Sequence, residues 1–115
     1  MVVSCWREDS CTVLRVVGDL DAAGAPRLRA ELDHALALAY PLHVVLDLTE
    51  VPFCDSVGLG VLVAGLNQVQ RRHGRMILVL DPGMISHLLT ITNLDRHFET
   101  SASMDDARTA LGAAA

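Results

Sequence analysis

The stretch from residue 44 to residue 63 constrains the fold of this chain more than any other part of it. Val44 to Leu48 is a short run rich in β-branched residues, which favours a buried strand inside a parallel or mixed sheet. Pro52 cannot donate a ladder hydrogen bond, and Asp55 and Ser56 have side-chain oxygens that accept from free N–H groups at a helix start. We therefore predict a buried strand, a tight turn and a helix that begins at about Ser56.

The helix predicted after this turn has one apolar face. Its apolar positions at helical spacing are Leu59, Leu62, Val63, Leu66 and Val69 or Gln70. This face is expected to lie on the sheet, which leaves Val57 and Val61 off the apolar stripe. Ser56 is then placed at the carboxyl edge of the sheet, on the first helical turn and beside the Asp55 carboxylate.

Ser56 is the residue of this segment whose position favours a chemical role. Functional groups of open α/β sheets gather outside the carboxyl ends of the strands, and a helix N-terminus favours an anion. A phosphate on the Ser56 hydroxyl would meet free N–H donors, while Asp55 would repel it. We therefore interpret Ser56 as a modifiable hydroxyl.

The N-terminal part of the chain predicts a hairpin followed by a helix. The strand-like runs are Val2 to Arg7 and Thr12 to Val17. They flank a polar turn at residues 8–10, and Gly18 ends the second run. Asp21 precedes a helical pattern that extends up to Pro41, so a helix cap is sufficient to explain it. The apolar positions of this helix are Leu28, Leu32, Ala35, Leu36 and Ala39.

The C-terminal part predicts two helices and two strands. Residues 71–74, Arg-Arg-His-Gly, indicate a helix C-terminus with basic residues that complement the dipole and a glycine in the left-handed closing position. The elements expected after it are a buried strand from Met76 to Leu80, a helix that starts at Asp81-Pro82, and a short edge strand at residues 97–100. Ser103 begins a last amphipathic helix, with acidic residues in its first turn.

This alternation of strands and helices predicts an α/β domain, with a mixed sheet of four to five strands and about four helices packed over it. Parallel pairs would be joined by right-handed crossovers. A length of 115 residues is typical of one domain, so residues 1–115 are expected to form a single unit.

Composition excludes several function classes. All nine basic residues are Arg, so neither a P-loop lysine nor a Schiff-base lysine is present. The net charge of −5 opposes direct nucleic-acid binding. Three cysteines without metal-ligand spacing indicate reduced thiols in the cytoplasm, and apolar runs too short to span a bilayer argue against membrane insertion.

We expect no enzyme activity of the chain's own and no bound metal or cofactor. Ser56 does not lie in a Gly-x-Ser-x-Gly motif, and none of the five His residues has a motif that ties it to this loop. Gly58-x-Gly60 is half of a dinucleotide fingerprint, and close helix packing explains it better. Four carboxylates could gather as a metal site, but turn chemistry is favoured for them: Asp19, Asp21, Asp47 and Asp55.

Two segments resemble a known family. Residues 53–62, Phe-Cys-Asp-Ser-Val-Gly-Leu-Gly-Val-Leu, follow Leu46-Asp47-Leu48 and resemble the phosphorylation-site segment of the bacterial anti-sigma factor antagonists, which are STAS domains. Residues 17–21, Val-Gly-Asp-Leu-Asp, are similar to the family's Gly-Glu-Leu-Asp segment. With the strand-like run at 74–79, the resemblance covers nearly the whole chain. The sequence departs from the family at Val57, where a small residue is usual, and this leaves partner choice open.

The resemblance implies a STAS fold, in which the phosphorylatable serine caps the second helix. It also implies that the unmodified protein binds an anti-sigma factor that is itself a serine kinase, so that sigma is freed. The kinase would use ATP to phosphorylate Ser56 and end the complex, and a PP2C-type serine phosphatase would reset it. The expected partner-binding residues are Asp19, Asp21, Asp55, Ser56, Val57, Gly58 and Val61.

Two other interpretations stay open at this point. The chain could be a STAS subunit of an ABC-type lipid transporter, or a module that binds a small ligand, without a phosphorylation cycle. Alternatively, Ser56 could serve only as a helix cap.

Overall fold

A mixed sheet of five strands organises the computed structural model, which describes residues 1–8, 11–38 and 42–113. The strands are β1 (Val2–Arg7), β2 (Thr12–Val17), β3 (His43–Glu50), β4 (Arg75–Val79) and β5 (Glu99–Ser101). β1 pairs antiparallel with β2, and β2 to β5 follow one another in parallel in chain order. The predicted α/β class and mixed sheet are confirmed.

Four α-helices cover the two faces of this sheet within the described residues. They are α1 (Ala25–Leu38), α2 (Ser56–Arg71), α3 (Met84–Ile91) and α4 (Met104–Ala113), and a short 3-10 turn spans Leu94–Arg96. α1, α2 and α3 share the larger core with one face of the sheet, while α4 packs on the opposite face. No helix of the described ranges is long and apolar enough to cross a membrane.

β3 is buried on both faces, which explains its continuous apolar run. Val44 and Leu46 belong to the larger core beneath α1 to α3, and Val45 belongs to the smaller core beneath α4. A strand in the middle of a sheet with helices on both sides needs apolar side chains at consecutive positions. Burial on both faces therefore fixes the position of the carboxyl end of β3, and with it the start of the following turn.

Most predicted elements are confirmed, and several boundaries differ by one to three residues, of which those of α3 and β5 have a clear cause. The first strands, the hairpin pairing and the helix starting at Ser56 lie where expected. α3 begins at Met84 rather than at Asp81-Pro82, because its first helical hydrogen bond runs from His87 N–H to Gly83 O. β5 begins at Glu99, because the N–H groups of residues 97 and 98 both donate to Leu94 O and close the 3-10 turn.

The end of α2 corrects a further detail. The residue with left-handed backbone is His73, with a φ of 56°, and not Gly74. Gly74 is required for a different reason, because a Cβ there would lie 2.3 Å from Leu42 O. Parts of other predictions, namely Asp9 and Ser10 in the first turn and Ala39 and Pro41 in the first helix, lie outside the described residues.

The segment between β2 and α1 is fastened to the start of α2. Leu20 N–H donates to Phe53 O at 2.8 Å, and Asp55 N–H donates to Leu20 O at 3.2 Å. Gly58 lies so close to this segment that a Cβ would come within 2.1 Å of Leu20 O. The α2 N-terminus therefore has its position only because residue 58 lacks a side chain.

Gly58→Ala should destabilise the fold by about 2 kcal/mol or more, because backbone atoms must move to admit the methyl group. Gly60→Ala in the same helix is the matched control, since a Cβ at residue 60 meets no atom within 4 Å. That variant should be more stable than wild type by roughly 0.5–1 kcal/mol. Urea unfolding of both proteins measures the difference, and equal effects would refute this account of Gly58.

Candidate functional site

Asp55, and not Ser56, caps α2. Its backbone is extended, its Oδ1 accepts from Gly58 N–H at 2.9 Å, and its carbonyl oxygen accepts from Leu59 N–H at 2.9 Å. An acidic cap also interacts favourably with the positive end of the helix dipole. The expectation that the serine is the cap was therefore wrong, and Ser56 has no capping task.

Ser56 is the first residue of α2, and its side chain is exposed. Among the described residues, its hydroxyl has no hydrogen-bond partner, and the N–H groups of Ser56 and Val57 have no acceptor. Such unpaired donors at a helix N-terminus are suited to an anion. The exposed Ser56 hydroxyl therefore has no structural role among the described residues and lies beside backbone N–H groups that lack an acceptor.

Asp19 and Asp21 flank Leu20 and so lie next to this helix start. Asp21 Oδ1 accepts from Ala23 N–H at 3.1 Å and from Gly24 N–H at 2.8 Å, so it caps the turn that leads into α1. Asp19 is exposed. Both carboxylates line an open surface pocket of about 400 Å³, together with Arg27. The structure thus brings the residues of the two sequence segments to one edge of the sheet.

Two of the expected contact residues are buried. Gly58 is covered by the Leu20 segment, and Val61 is only 7% exposed. Val61 was placed off the apolar stripe from the sequence, but it borders a small cleft together with Arg29 and Leu32 of α1. α2 packs against α1 as well as against the sheet, so its buried face is wider than one stripe. Val57, which is 50% exposed, remains on the surface.

Cys54 lies beside Ser56 and is chemically quiet. Burial, with a smaller contribution from the Asp55 carboxylate, raises the pKa of its thiol to about 11. Its Sγ donates to Asp55 O at 3.4 Å. Since the thiolate is the reactive form of cysteine, Cys54 does not compete with Ser56 as a nucleophile at neutral pH.

The carboxylates considered for a metal site do not form one. Asp47 is 7% exposed, and its Oδ1 accepts from the N–H and the hydroxyl of Thr49 at 3.1 and 2.7 Å. Asp21 and Asp55 are engaged with nearby backbone N–H groups. Within the described ranges, no group of three or more His, Cys, Asp or Glu side chains could hold a metal ion.

Met84 is a site residue that the sequence analysis missed. Its Sδ accepts from Cys54 N–H at 3.4 Å, and the side chain remains 45% exposed. Met84 opens a helix whose following residues are mostly apolar, a pattern that suggests packing in the core. Only the sheet order provides the missing signal, because the carboxyl ends of the neighbouring parallel strands β3 and β4 bring the two following turns together.

Known proteins with similar sequences and structures share this architecture. A family model described as the STAS domain matches residues 6–107. The anti-sigma-B factor antagonist of Listeria monocytogenes is 32% identical over 79 residues, which is 69% of this chain and 68% of that protein. The anti-sigma F factor antagonist of Paenibacillus polymyxa is 28% identical over 82 residues, which is 71% of this chain and 70% of that protein.

A solved structure agrees over nearly the whole chain. The crystal structure of an anti-sigma factor antagonist from Mycobacterium paratuberculosis gives a TM-score of 0.87 at 29% identity, and the match covers 96% of this chain and 92% of that one. The structural similarity therefore covers nearly the whole chain, as the resemblance in the sequence predicts.

Asp55→Ala and Ser56→Ala should differ in folding stability. Loss of the cap should cost about 1 kcal/mol, whereas removal of an exposed hydroxyl without a partner should change stability by less than about 0.5 kcal/mol. Urea unfolding of both variants beside wild type measures the two effects. If Ser56→Ala loses as much stability as Asp55→Ala, Ser56 has a structural role after all.

Proposed function

Because the chain belongs to the STAS domain family, we propose that it is an anti-sigma factor antagonist whose binding is switched off by phosphorylation of Ser56. The observation that carries this proposal is the division of labour at the start of α2. Asp55 caps the helix, and Ser56 presents an exposed hydroxyl without a structural partner among the described residues. Modification of Ser56 therefore leaves the cap in place.

The proposed cycle has four steps. The unmodified protein binds an anti-sigma factor that is also a serine kinase, and the sigma factor is released. The kinase transfers the γ-phosphoryl group of ATP to the Ser56 hydroxyl, whose proton is lost in the transfer, and ADP leaves. The modified protein then dissociates, and a PP2C-type serine phosphatase hydrolyses the phosphoserine with water.

Local electrostatics support an effect of the phosphate on binding rather than on folding. A phosphoserine adds roughly −1.5 to −2 charges at neutral pH. The open N–H groups of Ser56 and Val57 and the helix dipole favour this charge, which offsets repulsion by the Asp55 carboxylate. A partner that covers the exposed side chains of Phe53 and Val57 would instead have to bury the phosphate, at a high desolvation cost.

The chemistry of this cycle resides in the partners. We assign no catalytic residue to this chain, because Ser56 is a substrate and Cys54 keeps its proton at neutral pH. The proposed surface comprises Asp19, Asp21, Asp55, Ser56 and Val57, with Gly58 acting through its packing. Neither a cofactor, nor a nucleic acid nor membrane insertion enters the cycle, and we place the protein in the cytoplasm with the transcription machinery.

Phosphate transfer gives the first test. Incubation with the anti-sigma kinase of the same organism and ATP should add one phosphate, located on Ser56 by peptide mass spectrometry. Ser56→Ala should accept none. Phosphate found on Thr49 or Ser86 instead would contradict the site assignment.

Binding gives the second test. Ser56→Asp should weaken binding to that kinase by about 100-fold or more, because a buried unpaired carboxylate costs several kcal/mol, while Ser56→Ala should still bind. Both should melt close to wild type. Calorimetric titrations and thermal melts measure these effects.

Ser103→Asp is the matched control for the added charge. Ser103 is exposed and its Oγ accepts from Asp106 N–H at 3.1 Å at the start of α4, on the opposite face of the sheet. Aspartate is a good cap, so this variant should fold and bind normally. If Ser56→Asp also binds like wild type, the switch proposal fails.

A further inference from the structure

α3 displays an apolar line that the phosphorylation site does not explain. Met84 is 45% exposed, Ile91 is 60% exposed, and Leu88 between them is half-buried. Residues spaced by four and seven positions lie on the same side of a helix. We call Met84, Leu88 and Ile91 the α3 line. Ile85 and Leu89 are buried, so α3 packs on the core of the protein with a different side from the one that carries the α3 line.

The surroundings of the α3 line have the composition of a protein interface. α3 contains no Asp, Glu, Lys or Arg, and its one ionisable side chain is the exposed His87, which borders the α3 line. The Thr90 hydroxyl donates to Ser86 O at 3.1 Å and the Thr92 hydroxyl donates to Leu88 O at 2.6 Å, so both are satisfied within the helix. Exposed charges appear only beyond the helix ends, at Asp81 and at residues 95–96. Interface cores are depleted of charged residues and are bordered by a polar rim.

The α3 line is continuous with the surface around Ser56. Met84 Sδ accepts from Cys54 N–H, so this side of α3 faces the turn before α2. Phe53 on that turn and Val57 in the first turn of α2 are 39% and 50% exposed. Ile91 then lies about 10 Å further along the helix axis, at 1.5 Å per residue. A partner that covers Ser56 and extends across the turn reaches the α3 line next.

We propose that the α3 line is a second contact surface for the same anti-sigma kinase, which supplies apolar side chains to it. This inference rests on the proposed function. Ser56 decides whether the complex forms, and the α3 line contributes to how tightly it forms and to which kinase is chosen.

The matched control lies elsewhere on the molecule. Val2 is also 60% exposed and β-branched like Ile91. Its neighbour Val3 points into the core beneath α1 to α3, so Val2 points to the opposite face of the sheet, away from α3. A polar substitution at Val2 therefore removes the same kind of exposed apolar surface without touching the α3 line.

The test is a titration of the anti-sigma kinase with wild type, Ile91→Gln, Ile91→Met and Val2→Gln. Ile91→Gln should raise Kd about tenfold or more, as expected for a contact residue at an interface. Ile91→Met keeps an apolar side chain and should remain within about threefold of wild type, and Val2→Gln should equal wild type. Thermal melts of all four proteins check that each is folded.

The outcomes separate this inference from the proposed function. If wild type does not bind the kinase at all, the proposed function fails. If wild type binds and is switched by Ser56→Asp, but Ile91→Gln binds equally well, only the α3 proposal is refuted. Analytical sedimentation of the chain alone tests whether the α3 line is instead a contact between two copies. If Ile91→Gln abolishes self-association and leaves kinase binding unchanged, the α3 line is such a contact and the proposal is overturned.

Discussion

The contact between Gly58 and the carbonyl oxygen of Leu20 is the constraint on which the candidate site depends. A helix that follows a buried strand is free to tilt at its first turn unless something fixes it. Here the Leu20 segment exchanges backbone hydrogen bonds with residues 53 and 55, and Gly58 lets the two backbones approach closely. The same contact holds the start of α2, where Asp55 and Ser56 lie, against the segment that carries Asp19 and Asp21.

The separation of the helix cap at Asp55 from the proposed phosphorylation site at Ser56 follows from this geometry. A serine that both capped the helix and accepted phosphate would have to rearrange its cap hydrogen bond at every modification. With Asp55 as the cap, the Ser56 oxygen has no structural bond to lose, and its modification leaves the hydrogen bond between Asp55 and Gly58 intact. A fold that survives the modified state unchanged is what a reversible cycle of binding and release requires.

The local features of the fold were predictable from the sequence, and the features that depend on neighbours were not. The apolar run of β3 and the turn before Ser56 are signalled by nearby residues alone. Val61 is different, because its burial is caused by α1, which is distant in sequence. The left-handed backbone of His73 was equally unpredictable from the sequence, because the nearby Gly74 has the sequence signature of a left-handed residue. Gly74 is needed instead for its close contact with Leu42.

Met84 shows the same limit for the site itself. A methionine at the start of an apolar helix suggests core packing, and only the parallel order of β3 and β4 places it against the turn before α2. Once it is there, the exposed apolar side chains at the start of α3 lie beside the turn that leads into α2. Since a phosphate on Ser56 would lie at one end of this continuous apolar surface, water must enter there to solvate the charge. A partner held mainly by apolar contacts loses most from such hydration, because the free energy of those contacts comes from excluding water. A single charge can therefore release a surface much larger than the residue that carries it.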